Sequence, residues 1–143
     1  MSERYRRGID LVSQLAADKS AHFIESGVAE LAPDFARMVI EFAFGDIYSR
    51  KGLDLQSREL VAIASLAADG HATPQLRLHV ESAQSAGISK TEIVEVLMQV
   101  ALYAGFPAAL NALSACHDLL SDGESACPWQ AGMSPGMRRG SIG

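Results

Sequence analysis

Between Asp54 and Pro107 the sequence alternates helix-starting and helix-ending residues, and this punctuation leaves room for little but short, packed helices. Asp54 is placed to cap a helix that carries Leu60, Val61, Ile63, Ala64 and Leu66 as far as Gly70. Thr73 then offers a hydroxyl cap and Pro74 a residue with no amide proton to satisfy. The helix they open has Leu76, Val80 and Ala83 at helical spacing, and Gly87 can end it. Ser89 and Glu92 form a capping box in front of an apolar stretch, Gly105 stops that helix, and Phe106-Pro107 begins another that runs to about Leu120. Upstream, Pro33 and Asp34 open a helix with Phe35, Met38, Val39, Phe42 and Ile47, broken at Lys51-Gly52. No repeat and no alternating strand pattern interrupts the series. The expectation is an all-α, compact bundle of about six helices.

At 143 residues, 48% apolar and 20% charged, the chain has enough to close one core and not two. The helical domain is expected over 1–122. Gly, Pro and Ser dominate 123–143, which reads as a tail, either flexible or laid on another subunit through Trp129 and Met133. A net charge of -5 argues against nucleic acid or an anionic membrane as partner. The basic group Arg4, Arg6 and Arg7 shares its segment with Glu3 and Asp10 and reads as a solvated helix face. No apolar run approaches the roughly 20 residues that span a bilayer. Nor does the N-terminus resemble a signal peptide. Cys116 and Cys127 stand apart, with no CxxC pair, so a reducing cytoplasm is the expected compartment.

From Ile93 to Tyr103 the sequence is apolar on more than one helical face. Two arrangements account for that: a neighbouring subunit covers the second face, or the helix is central and wrapped by its own chain.

Chemistry is sought where polar residues sit on apolar faces. Glu59 shares a face with Ile63 and Leu66, so its carboxylate lies against apolar surface and needs a partner; the plainer alternative is an acid favouring the helix dipole. His79 is on the apolar side of the following helix, near Leu76 and Ala83, and alone would be a satisfied core histidine. The short turn from Gly70 to Thr73 makes the two helices antiparallel neighbours. If their offset lets Glu59 reach His79, the carboxylate orients the imidazole for acid–base work. His71 lies in the connecting turn, open to a cleft or to solvent. Arg77 precedes Glu81 by four residues, the spacing of a surface ion pair, and lies on another face from His79, so an anion bound there would involve a neighbouring subunit. Asn111 in its Ala-rich helix needs amide partners if buried.

Taken together, Gly52-Leu53-Asp54, Ser57-Arg58-Glu59-Leu60 and Gln75-Leu76-Arg77-Leu78-His79 resemble the carboxymuconolactone decarboxylase family. The similarity continues through Ala86-Gly87-Ile88-Ser89, Glu92-Ile93, Glu95-Val96-Leu97 and Tyr103 to Ala109. Upstream it includes Arg7-Gly8 and Phe44 to Arg50, so it covers nearly the whole chain to about Leu120. The resemblance implies an alkylhydroperoxidase-like helical fold assembled as a homo-oligomeric ring, a homotrimer or homohexamer. It also implies one of two chemistries: cofactor-free decarboxylation of a lactone in aromatic catabolism, or thiol-dependent peroxide reduction. The peroxidase branch places a Cys-x-x-Cys pair between the positions matching Glu59 and His79, where this chain reads Gly70-His71-Ala72-Thr73-Pro74. With no thiolate there, that redox chemistry has no nucleophile.

What remains is a decarboxylase for a small anionic substrate, a carboxylated lactone such as 4-carboxymuconolactone. Loss of carbon dioxide from such a lactone leaves an extended enolate that needs stabilisation and a proton. The unsaturated lactone is its own electron sink, so neither a metal nor an organic cofactor is expected. His79 is the expected proton donor and Glu59 its orienting partner, with Arg77 or His71 holding the carboxylate that the substrate retains. The competing expectations are a helical oligomer that binds a small ligand in the same pocket without turning it over, or a relative of the peroxidase branch without its thiol chemistry.

Overall fold

A computed structural model describes residues 1–15 and 27–123, and all regular structure among them is helical. The elements are α1 (Glu3–Leu15), α2 (Ala29–Leu31), α3 (Pro33–Val39), a π-helical segment (Ile40–Tyr48), α4 (Leu55–Asp69), α5 (Thr73–Ser85), α6 (Lys90–Ala104), α7 (Phe106–Ala115) and α8 (His117–Leu120). The expected tail, with Cys127, Trp129 and Met133, falls outside the described residues from 124 onward.

Most boundaries follow the sequence signals. The Asp54 carboxylate accepts the Ser57 amide at 2.7 Å, and Gly70 closes α4 in the left-handed region at φ 84°. Both halves of the capping box form: the Ser89 hydroxyl accepts the Glu92 amide at 3.1 Å, and Glu92 accepts the Ser89 amide at 2.8 Å. Thr73 departs from expectation. It is the first residue of α5 and makes no capping bond, while Pro74 suits the first turn because its missing amide proton is not needed there. The helix expected from Phe106 to Leu120 also breaks, at Cys116, into α7 and α8. The Ala115 carbonyl at that break is taken by the Arg77 guanidinium, an outside partner that satisfies an orphaned helix end.

The core lies between α4, α5, α6 and α7, where Ile63, Val80, Ala83, Ile93, Leu97 and Cys116 are fully buried. Each large side chain among them stabilises the fold by roughly 1.5–3 kcal/mol. The N-terminal elements pack principally on one another. Where α1 crosses the π-helical segment, a Cβ on Gly45 would overlap the Arg4 carbonyl and one on Gly8 would overlap that of Ile40, so two glycines permit the close approach. Arg4 and Arg7 are therefore more than a solvated face. Arg4 pairs with Asp46, and Arg7 donates to the Gly45 carbonyl at 3.3 Å.

The expected apolar face of the helix after Pro33 is not the face that packs. Ala36, Ile40 and Gly45 are buried, whereas Phe35, Met38 and Phe42 are exposed. A similar division appears along Ile93–Tyr103. Ile93, Leu97 and Val100 are buried, but Met98, Leu102 and Tyr103 are 52%, 76% and 88% exposed, so the described residues do not wrap this helix. Phe106 and Leu110 extend the exposed apolar surface onto α7.

Candidate active site

Glu59 stands in the second turn of α4, four residues before Ile63, and so shares the core face; only 1% of it is exposed. The turn at Gly70–Ala72 reverses the chain into α5. Along the helix axes Glu59 lies about 15 Å from the end of α4 and His79 about 9 Å from the start of α5. The turn and the length of the glutamate side chain take up that offset. His79 Nδ1 and Glu59 Oε2 are 2.8 Å apart.

A carboxylate offers no proton, so Nδ1 is the donor in this contact. The ring is thereby held in one orientation, with Nε2 free of hydrogen bonds among the described residues. Exposure separates the two roles: the carboxylate is sealed in, whereas the imidazole is 27% exposed. The pair is built to present one ring nitrogen outward from a fixed base. Such an arrangement has the geometry that general acid–base chemistry requires.

Two further residues, to which the sequence reading gave no role, are linked to this region: Tyr48, whose phenol feels the charge of Glu59, and Arg58, which packs on the Tyr48 ring. Tyr48 ends the π-helical segment. Burial, and then the negative charge and hydrogen-bonding carboxylate of Glu59, push its phenol above the ordinary range, with Arg58 acting in the opposite sense. Arg58 sets its guanidinium 5.9 Å from the centroid of the Tyr48 ring and donates through Nη2 to the Arg50 carbonyl at 3.0 Å, while its Nε is buried without a partner. Arg58 announces itself only as Glu59's neighbour in sequence. Tyr48 falls within the family-like stretch Phe44 to Arg50, but nothing in that stretch distinguishes it as a site residue.

The other proposed site residues are engaged elsewhere. Arg77 forms a two-pronged pair with Asp118 of α8, at 2.7 and 2.8 Å, in addition to the bond to Ala115. The hydrogen bond to Asp118 raises the guanidinium's already high pKa and holds the Asp118 carboxyl down at about 2. His71 is 82% exposed, with Nε2 3.2 Å from the Asp69 carboxylate and Nδ1 3.2 Å from the Asp69 carbonyl. Within one chain, then, the fold brings Glu59 and His79 together and gives Arg77 and His71 other partners. Asn111 is exposed and does not have to satisfy a buried amide. Cys116 is fully buried, and burial pushes its thiol up, away from the reactive thiolate.

Comparison with known proteins bears on what this geometry serves. The profile of the Carboxymuconolactone decarboxylase family matches residues 33–118, which include Tyr48, Glu59 and His79. The chain is similar to the 4-carboxymuconolactone decarboxylase of Acinetobacter baylyi, 30% identical over 120 residues, covering 84% of this chain and 89% of the relative. It is 27% identical over 125 residues to the nitrosuccinic acid decarboxylase of Metarhizium robertsii, covering 84% and 86% of the two chains. An uncharacterized 15.0 kDa protein of Paracoccus denitrificans is 33% identical over 102 residues, covering 71% and 76%.

Proposed function

Because this chain belongs to the carboxymuconolactone decarboxylase family, we propose that it is a cofactor-free decarboxylase for a small carboxylated lactone such as 4-carboxymuconolactone. The observation that carries this reading is the 2.8 Å contact between buried Glu59 and half-open His79. Breaking the carbon–carbon bond to the departing carboxylate leaves its electron pair on a ring carbon. The alkene relays that pair to the lactone carbonyl as carbon dioxide departs. The proton on Nε2 of the protonated His79 then passes to carbon, and solvent restores it. Glu59 holds the ring throughout and balances the charge of the imidazolium.

The two decarboxylases among the relatives make the same chemical demand. By its name nitrosuccinic acid is a dicarboxylic acid bearing a nitro group, and a nitro group, like a conjugated lactone, receives the electrons that decarboxylation leaves behind. The substrate class is therefore a small dianion with a built-in electron sink. Its retained carboxylate needs a cation. Arg77 or His71 is the cation we assign to it, Arg77 from across a subunit boundary because it lies on another face of α5 from His79. Assembly into a ring of three or six copies, with the exposed apolar residues of α6 and α7 at the contacts, supplies that boundary.

The test is to supply the purified protein with 4-carboxymuconolactone, and separately with nitrosuccinate, and to measure carbon dioxide release against a protein-free control. Turnover of either supports the class and identifies the sink. Binding of both with no carbon dioxide released would overturn the enzyme reading in favour of a ligand-binding oligomer.

A further inference from the structure

The described residues leave two separate apolar faces bare. The first lies on α3 and the π-helical segment. Phe35, Met38 and Phe42 recur about one turn apart, on the side away from buried Ala36 and Ile40, and are 59%, 60% and 62% exposed. The second is the face of Met98, Leu102, Tyr103, Phe106 and Leu110 on α6 and α7. From Val96 to Cys116 the sequence has no Asp, Glu, Lys or Arg, so this stretch lacks the charged residues that normally cover the outer side of a water-facing helix.

The two faces belong to parts of the chain that rest only lightly on each other. Val12, Ala36 and Ile40, the buried apolar residues of the N-terminal elements, lie outside the main core, and those elements pack principally on one another. So small a core buries little apolar surface, and a cover for the outer face adds to its stability. Side chains of this size, more than half exposed, each present roughly 100–150 Å² of bare surface. Each face therefore offers about 500 Å², and the two pressed together about 1,000 Å², the lower bound for a specific interface.

We propose that these faces are the two halves of one junction, in which Phe35, Met38 and Phe42 of one copy dock on Met98, Leu102 and Phe106 of the next. The inference rests on the reading of the assembly as a ring. A contact in which both copies use the same patch joins two chains and stops there. A ring of three closes only when each copy offers two different surfaces, one to each neighbour. The chain carries two such surfaces, similar in size and both apolar, and the occupant that fits each of them is a second copy met head to tail.

The test is complementation between Met38→Glu and Met98→Glu in sedimentation velocity on the full chain. Each variant spoils one half of the junction and keeps the other, so alone it should run at no more than about one third of the unmodified mass. An equal mixture should run at about twice the mass of either variant alone, because the intact α6 and α7 face of Met38→Glu meets the intact N-terminal face of Met98→Glu. The double variant mixed with Met38→Glu should show no gain, since no N-terminal face remains intact. Phe35→Glu with Leu102→Glu repeats the test at other positions, and far-ultraviolet circular dichroism checks that each variant keeps its helices. A ring in the unmodified protein with no gain on mixing, or with Met38→Glu alone at full size, would overturn the junction and leave the ring standing. A monomeric unmodified protein would overturn both.

Discussion

The 2.8 Å contact of Glu59 with His79 follows from a three-residue turn and the pitch of two helices, which carry a carboxylate and an imidazole toward each other. Tyr48 closes a segment wound more widely than an α-helix, which an α-helical period does not anticipate. Its phenol carries a prediction of its own. The folded value lies above the ordinary one of about 10, so the associated stability is complete below pH 10 and is lost as pH rises toward the folded value. Urea unfolding at a series of alkaline pH values should show this decline in the unmodified protein and a shallower one in Tyr48→Phe. Parallel declines would mean that the phenol is not held by its surroundings. Arg77 has a partner that local spacing cannot reveal. Beside the charge of Glu81, four residues on, α8 folds back to offer Asp118, 41 residues away.

Capping and turn chemistry made the elements legible, since Asp54, Ser89, Glu92 and the glycines act within a few residues of themselves. What escaped was set by tertiary contact: the break at Cys116, and the π-helical segment that buries Gly45 against Arg4. That crossing gives a second prediction. A methyl on Gly45 would meet a backbone carbonyl that cannot swing aside, so Gly45→Ala should destabilise the protein by about 1–3 kcal/mol in urea unfolding, and no loss of stability would mean that α1 lies farther off. The Arg77–Asp118 link gives a third. Because the Asp118 carboxyl is held down at about 2, the link's contribution is present above about pH 4 and is lost as pH falls through 2. Amide exchange along α8 should accelerate over that window in the unmodified protein. Asp118→Asn should show raised exchange with no such acid dependence.

At the scale of the whole molecule, the described residues bury one core well and leave much of their apolar surface uncovered by one another. Met98, Leu102, Tyr103, Phe106 and Leu110 are all more than half exposed on two consecutive helices, more than a small monomer ordinarily shows to water. The sequence pointed to this through the many-sided apolar helix from Ile93, but could not say which face would be left out. Met98→Glu places a charge in that surface without touching the core. In sedimentation velocity the unmodified chain should run as a trimer or hexamer at micromolar concentration, and the variant as a smaller species. A stable monomer in the unmodified protein would remove the subunit boundary at which Arg77 or His71 is proposed to hold substrate.

One measurement bears most directly on the claim that a buried carboxylate and its imidazole carry out the decarboxylation: steady-state carbon dioxide release from the accepted substrate by His79→Gln beside the unmodified protein. Glutamine retains bulk and hydrogen-bonding capacity but cannot deliver the proton. We expect kcat to fall by roughly two to four orders of magnitude with KM much less affected, and Glu59→Gln to fall less far, because it leaves the imidazole in place. A His79→Gln protein that stays folded and retains kcat within a few-fold would contradict the account and leave His79 a core histidine that Glu59 happens to satisfy.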